Sequence, residues 1–342
     1  MKKLKKIIYL LFIAFAAFFG YKVYVNFFTS NIIKSGYIYI PHGATLEQVS
    51  DSLKPFVKNI SRFQKAALKG RLEGRIKPGR YKINENDNNY NIVQLIKLGQ
   101  QTPENFRIID YGSVYEMVGR VTKKTEIDSA KFVKTLDSIA QSKGLLNAED
   151  LKPYFFVDTY KFFWTVKPSK FFNLFWNEYN KFWTPERKAK ADALGLTRAQ
   201  IYALASIVYK ESGGAPNEQK TIAGLYLNRY KKQMKLQSDP TVIYAIDKEN
   251  HFQKKRIKRV YYKYLGIDSP YNTYKFAGLP PGPICIVDKN TLEAVLNAED
   301  NKYIYMCADP ERPGHHKFTD SDKEHAENAK AYQQWLNKKQ IK

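Results

Sequence analysis

The first thirty residues have a different pattern of polar and apolar positions from the rest of the chain. Lysines at positions 2, 3, 5 and 6 precede an apolar run from Ile7 to Tyr21, and after Lys22 the apolar character continues to Phe28. A run of this length predicts one membrane-spanning helix at residues 7–28, with Lys22 snorkelling to the interface. The alternative is a cleaved signal peptide, because residues 14–16 read Ala-Phe-Ala. The apolar residues beyond that site favour the anchor.

The next hundred residues contain a faint internal repeat. The segment Ile40–Val49 aligns with Ile109–Val118, and each copy has a short β-rich run before a glycine turn at Gly43 or Gly112. Apolar residues then recur at helical spacing, so both copies predict strand, turn and helix, unless the similarity arose by chance. The first copy continues through a second predicted helix at 61–68, a turn at 77–81 and a helix at 91–97.

Aromatic side chains are concentrated between Ala148 and Trp183. Such density favours a hydrophobic core, whereas a surface that stacks against sugar rings is the alternative, because pyranose faces are apolar. The aromatic residues are Tyr154, Phe155, Phe156, Tyr160, Phe162, Phe163, Trp164, Phe171, Phe172, Phe175, Trp176 and Trp183.

A helix with one carboxylate on its apolar side is predicted after Thr197. Thr197 and Gln200 have the spacing of a capping box, and the glycines at 213 and 214 would end the helix. Glu211 then lies in the last turn, on the face that carries Ile201, Leu204, Ala205 and Val208. Burial and the negative end of the helix dipole both raise the pKa of a carboxyl group there, as a general acid requires. The alternative is a glutamate at the helix edge that reaches solvent.

The net charge of +23 first suggests nucleic acid as a partner. Lysines before the predicted span place residues 1–6 in the cytoplasm and the remaining bulk outside, which argues against nucleic acid. A basic exterior also suits anionic headgroups or an acidic cell wall. Cys285 and Cys307 would then lie where a disulfide is permitted, with two buried thiols as the alternative. His315, His316 and His325 lack metal-site spacing, so neither a metal nor a cofactor is expected.

Several ordered motifs resemble one protein family. Residues 204–211 read LASIVYKE, 223–229 AGLYLNR, 236–244 LQSDPTVIY, 269–274 SPYNTY and 278–284 GLPPGPI. These blocks resemble those of the YceG-like proteins, the endolytic murein transglycosylases. Asp158-Thr159-Tyr160 and the C-terminal elements around His316 and His325 extend the resemblance to essentially the whole chain. Tyr209, Val157 and Ala326 depart from the family pattern, but the essential acid falls on Glu211.

The resemblance implies an α+β fold in which a small LysM-like module at 36–103 precedes a catalytic domain at 104–342. It also implies cleavage of the β-1,4 bond between N-acetylmuramic acid and N-acetylglucosamine in nascent peptidoglycan, with formation of 1,6-anhydro ends and termination of strand elongation. Glu211 would act as acid and then base. Candidates for substrate binding are Gln237, Asp239, Tyr271, Asn272 and Thr273.

The resemblance further implies peptidoglycan strands as substrate, the inner (cytoplasmic) membrane as location, and peptidoglycan synthases (penicillin-binding proteins) as partners. Two other functions remain open. A non-catalytic wall-binding protein would use the module and the aromatic surface without cleavage. A glycan hydrolase would need a second carboxylate near Glu211, for which Glu218 and Asp239 are candidates.

Overall fold

The computed structural model describes residues 2–213, 216–252, 257 and 260–339. Its architecture is mixed α+β, as the sequence predicts. The contacts divide the chain into two compact units. Unit 1 comprises Met1–Phe106, Thr122–Asp128 and Lys161–Lys167, and unit 2 comprises Arg107–Val121, Ser129–Tyr160 and Pro168–Lys342.

Unit 1 begins with the long helix α1, Lys2–Phe28. Within the described part of the chain, this is the one helix that is long and apolar enough to cross a membrane. Its side chains from Lys3 to Lys22 are exposed, and most of those from Val23 onward are partly covered by the rest of unit 1.

The remainder of unit 1 packs helices against a short antiparallel hairpin. Strand β1 pairs with β2 in a register that sets Gly36 opposite Ile83 and Ile40 opposite Gly79. Ile38 and Ile40 alternate with exposed residues and point into a core that also contains Phe63 and Tyr81. The elements are β1 (Gly36–Ile40), α2 (Leu46–Leu53), α3 (Ile60–Lys69), β2 (Gly79–Ile83) and α4 (Asn89–Leu98).

The chain first passes from unit 1 to unit 2 within β3 (Glu104–Ile108). Two later segments belong again to unit 1, Thr122–Asp128 and Lys161–Lys167, and the second begins within β4 (Asp158–Phe162). Unit 2 is built around a helix whose residues from Ile201 to Val208 are all buried. This helix is α9 (Arg198–Glu211). The other helices and strands of unit 2 are α5 (Val114–Val121), α6 (Ser129–Ser142), α7 (Pro168–Phe182), α8 (Pro185–Ala193), α10 (Gln219–Lys231), α11 (Asp239–Glu249), α12 (Lys289–Leu296), β5 (Tyr305–Ala308), β6 (His316–Thr319) and α13 (Asp322–Lys338).

Several sequence predictions can be compared directly with these elements. Strand, turn and helix follow one another in both copies of the repeat, as β1–α2 and β3–α5. The helices predicted at 61–68 and 91–97 are confirmed as α3 and α4. The turn predicted at 77–81 is wrong in its second half, because Gly79 to Tyr81 pair with β1.

The aromatic segment is mainly core, as its density predicts. Phe155, Phe156, Phe171 and Phe175 are fully buried, and Trp183 is 3% exposed. Phe163 is an exception at 47% exposed. The two cysteines, of which the one at 285 is buried, are free thiols.

Candidate active site

The site is centred on the C-terminal end of α9. Thr197 and Gln200 form the predicted capping box: the Thr197 hydroxyl accepts from the Gln200 N–H at 3.2 Å, and the Gln200 Oε1 accepts from the Thr197 N–H at 2.9 Å. The buried stretch that follows fixes the direction of the helix. Glu211 is its last residue, and Gly213 lies outside it. Gly214, expected to help end the helix, lies outside the described residues.

Two hydroxyl groups hold the Glu211 carboxylate. Tyr226 of α10 donates to Oε1 at 2.9 Å, and Ser238, the residue before α11, donates to the same oxygen at 2.5 Å. Both donors are buried, with Tyr226 2% and Ser238 0% exposed. The carboxylate therefore has a fixed orientation, and its second oxygen is left out of these two bonds.

Burial raises the pKa of the Glu211 carboxyl group above its ordinary value, and the nearby charge of Asp239 acts in the same direction. The hydrogen bonds from Ser238 and Tyr226 favour the charged form and oppose the rise, but burial is the larger effect. The environment of Glu211 thus favours a protonated carboxyl group near neutral pH more than water does, as the sequence predicts.

Glu211 lines a cavity of about 440 Å³ in unit 2. The cavity is bounded by α10, by the segment that leads into α11, by β5 and by α13. Its lining residues are Glu211, Leu225, Tyr226, Arg229, Leu236, Gln237, Asp239, Tyr274, Tyr305, Met306, Cys307, Ala308, His316 and His325.

The buried guanidinium of Arg229 joins two walls of this cavity. It donates to the Lys235 carbonyl through Nε at 3.0 Å and through Nη2 at 2.8 Å, and to the Ile304 carbonyl through Nη1 at 2.8 Å. It also donates to the side-chain Oε1 of Gln237. Gln237 has a left-handed backbone with φ of 54°, which is uncommon for a residue other than glycine. Arg229 therefore fixes the side chain of Gln237 at the cavity.

Asp239 begins α11 and contributes an exposed carboxylate to the same cavity. Its Oδ1 accepts a hydrogen bond of 2.6 Å from the Tyr274 hydroxyl. Burial raises the pKa of Tyr274, and the bond to Asp239 raises it further, so Tyr274 remains a donor. The aspartate is thus both the first residue of a helix and a cavity group.

The other three substrate-binding candidates lie elsewhere. Among the described residues that line the cavity, Tyr271, Asn272 and Thr273 are absent. Asn272 is fully buried and donates to the carbonyls of Leu265 and Ile267 at 2.9 and 2.8 Å. The Thr273 hydroxyl accepts from the Ser238 N–H at 3.0 Å. Thr273 thereby positions the serine that holds Glu211.

The carboxylate of Glu218, one candidate for the second carboxylate of a hydrolase, is hydrogen-bonded to two histidines. Its Oε1 lies 3.0 Å from Nδ1 of His315, and its Oε2 lies 2.9 Å from Nδ1 of His316. Burial raises the pKa of Glu218, but the hydrogen bonds from the histidines outweigh burial and lower it. His316 itself lines the cavity, so Glu218 orients a cavity residue.

His325 stacks on Tyr305, with ring centroids 4.7 Å apart and an interplanar angle of 13°. Burial lowers the pKa of His325, and the charge of Arg229 lowers it further. Within the described part of the chain, its buried Nδ1 has no hydrogen-bond partner. The sequence singled out this histidine without predicting the stacking.

Three residues predicted from the sequence line the cavity: Glu211, Gln237 and Asp239. Ser238, Tyr226 and Arg229 were not predicted as site residues. All three lie inside motif blocks that were singled out by their resemblance. The motif blocks therefore pointed to these three residues, but the orientation of their side chains toward the cavity depends on how the helices pack.

The comparisons with known proteins agree with one another. The model of the YceG-like family matches residues 38–331. An endolytic murein transglycosylase of Bacillus subtilis is 39% identical over 143 residues, which cover 42% of this chain and 36% of that protein. An endolytic murein transglycosylase of Streptococcus pneumoniae is 35% identical over 114 residues, covering 33% of this chain and 20% of that protein. The match thus spans about a third or less of these relatives.

A solved structure resembles most of the chain. It is the 2.6 Å crystal structure of a Listeria monocytogenes protein described as yceG-like. The TM-score is 0.57 at 25% sequence identity, and the match covers 86% of this chain and 98% of that one.

Proposed function

The chain belongs to the YceG-like family, and from this premise we propose that it is an endolytic lytic transglycosylase that cleaves peptidoglycan strands with Glu211 as its catalytic residue. The two relatives named above are endolytic murein transglycosylases, which supports the enzyme class. The observation that carries the proposal is the Glu211 carboxyl group: it lines a cavity, two hydroxyls fix its orientation, and burial raises its pKa.

The reaction needs a single residue that gives and then takes a proton. Protonated Glu211 donates its proton to the glycosidic oxygen as the bond from N-acetylmuramic acid to N-acetylglucosamine breaks. The C6 hydroxyl of the muramic acid residue then attacks its own C1, and the Glu211 carboxylate accepts the hydroxyl proton. The product is a 1,6-anhydro end, no water is consumed, and the enzyme returns to its starting protonation state.

The neighbours of Glu211 have matching roles in this proposal. Ser238 and Tyr226 hold the carboxylate and stabilise its charged form between the two proton transfers. Gln237 and Asp239 contact the sugar polar groups in the cavity. Tyr271, Asn272 and Thr273 lie outside the cavity lining, and the bond from Ser238 to Thr273 supports a positioning role for Thr273.

The arrangement that we propose at the membrane is the one predicted from the sequence. Residues 1–6 form a cytoplasmic tail, residues 7–28 cross the inner membrane once, and the rest of the chain lies outside. Residues 36–103 act as a LysM-like glycan-binding module, and residues 104–342 form the catalytic domain. Cleavage of nascent strands ends their elongation, which requires proximity to the peptidoglycan synthases (penicillin-binding proteins). The length and apolar character of α1 support the anchor.

Product analysis of the full chain tests the proposal. Purified peptidoglycan is incubated in detergent with the native protein or with Glu211→Gln, and the muropeptides are identified by mass spectrometry. The native protein should yield 1,6-anhydro ends, and the variant should yield none above background. A fully active variant would remove Glu211 from the mechanism, and a native protein that binds strands without cleaving them would be a binding protein.

One observation favours a second candidate function. Asp239 lines the same cavity as Glu211, so the cavity contains a second carboxylate, which an inverting or retaining hydrolase requires. A hydrolase would leave reducing ends in place of anhydro ends. It would also lose activity on Asp239→Asn to a similar extent as on Glu211→Gln.

A further inference from the structure

The covered part of α1 indicates where the surface of a membrane would lie against unit 1. The side chains of α1 are exposed from Lys3 to Lys22, and partial covering begins at Val23. A membrane crossing takes about 20 apolar residues, and counting 20 from Ile7 ends at Asn26. The outer edge of the hydrocarbon region therefore falls at Lys22 or beyond it, within the turns that unit 1 begins to cover.

Helix α3 runs antiparallel to these last turns of α1. Near its start, the Arg62 guanidinium donates to the Val25 carbonyl and to the Thr29 hydroxyl. At its end, Lys69 Nζ lies 5.2 Å from the centroid of the Phe19 ring. Because Phe19 lies less than one helical turn from Lys22, the C-terminal end of α3 reaches the level of the membrane interface.

The chemistry of this end of α3 suits that position. Leu68 is 57% exposed. Exposed basic residues surround it, and Glu73 is the one acidic residue between positions 60 and 77. In the part of the chain that the structure describes, none of these bases has an acidic partner within ion-pair distance. The exposed bases are Lys65, Lys69, Arg71 and Arg75.

We infer that residues 65–75 form a second membrane contact, in which Leu68 inserts at the interface and the surrounding bases bind anionic phospholipid headgroups. The inference rests on the membrane anchor of the proposed function. An exposed apolar side chain flanked by Lys and Arg is the composition of an interfacial segment, and each such base near an anionic surface contributes about a fivefold preference. Two contacts fix the orientation of unit 1 on the membrane, which one helix alone does not.

A fluorescent probe at position 68 tests this contact. The full chain carrying Leu68→Cys is labelled with the polarity-sensitive dye NBD in a Cys307→Ser background, since Cys285 is buried. It is placed in nanodiscs of phosphatidylcholine, with or without phosphatidylglycerol. Emission should shift to shorter wavelength with phosphatidylglycerol and return toward its aqueous value in high salt.

Charge variants at the same positions supply the matched control. Lys65→Glu with Lys69→Glu should lower the interfacial fraction of the probe at least about fivefold, while Lys65→Arg with Lys69→Arg should retain it. Equal emission from the two pairs, or an aqueous signal in both lipids, overturns the inference. If the emission of the probe instead shifts when soluble glycan strands are added without phosphatidylglycerol, that result assigns residues 65–75 to binding of the wall polymer and also overturns the inference.

Incorporation into the nanodiscs separates this inference from the anchor. A chain that co-elutes with nanodiscs of either composition but gives an aqueous probe signal retains the anchor and loses the second contact. A chain that fails to enter either nanodisc contradicts the anchor itself.

Discussion

Replacing Glu211 with glutamine removes the charge of the carboxylate but keeps its two hydrogen bonds. Ser238 and Tyr226 both donate to Oε1, which the amide oxygen of glutamine can replace, and the amide nitrogen takes the position of Oε2. The variant should therefore keep the native structure while losing proton transfer. Because one residue serves both transfers, activity should fall by about 10³-fold or more.

The same substitution should stabilise the protein at neutral pH. The pKa of Glu211 is raised above its ordinary value of 4.5, so the folded state binds the proton more tightly than the unfolded state does. Its favourable effect on stability is complete below pH 4.5 and is lost as pH rises through the raised pKa. Ionising Glu211 therefore costs more free energy in the folded state than in the unfolded state, and glutamine avoids this cost.

The size of the effect follows from the linkage between protonation and folding. Each unit by which a pKa is raised corresponds to about 1.4 kcal/mol at neutral pH, so the raised pKa of Glu211 should appear as a gain in stability of the glutamine variant at pH 7. For a folded unit of the size of unit 2, Tm rises by about 2–4 °C for each kcal/mol of added stability. The gain should shrink toward zero as pH falls below the ordinary pKa.

Thermal unfolding followed by circular dichroism at pH 7 and at pH 4 measures this gain. Glu327→Gln is a suitable control, because Glu327 is exposed on α13 and its substitution should change stability by no more than about 0.5 kcal/mol. A Glu211→Gln variant that is less stable than the native protein at pH 7, or a gain that does not depend on pH, would refute the reasoning.

Three further substitutions test other contacts. Ser238→Ala removes a bond that favours the charged form of Glu211, so the alkaline limb of the activity profile should move to higher pH and kcat should fall about tenfold; an unmoved limb would argue against this role. Gly224→Ala places Cβ 2.3 Å from the Glu299 carbonyl oxygen and should destabilise the protein by about 1–3 kcal/mol, seen as a lower Tm, whereas an unchanged Tm would contradict the packing. Lys152→Met removes the buried partner of the Glu149 carboxylate, 3.4 Å away, and should cost about 3–5 kcal/mol in denaturant unfolding; a cost under about 1 kcal/mol would contradict the importance of this pair.

The sequence predicted those elements whose signal is local. A capping box at Thr197 and a continuous buried stretch specify α9, and Glu211 lies in the last turn because the helix register places it there. The paired β-rich runs and glycine turns likewise specify the beginnings of both repeat copies. In each case the side chain and its nearest neighbours along the chain contain the information.

The contacts around Glu211 depend on distant parts of the chain. Tyr226 and Ser238 follow Glu211 by 15 and 27 positions, and only the packing of α10 and α11 against α9 turns their hydroxyls toward it. Asn272 and Thr273 were expected at the substrate for their polarity, yet both side chains are buried and bonded within the fold. A residue's type shows that it can form hydrogen bonds, but not whether its partner is a ligand or a neighbouring element.

The central claim, that Glu211 drives cleavage without water, is tested most directly by digesting peptidoglycan in water enriched in oxygen-18. Mass spectrometry of the new strand ends then reports the nucleophile. The account predicts 1,6-anhydro ends that contain no oxygen-18, and loss of these ends in Glu211→Gln. Reducing ends that carry one oxygen-18 atom would contradict it and would make the protein a hydrolase.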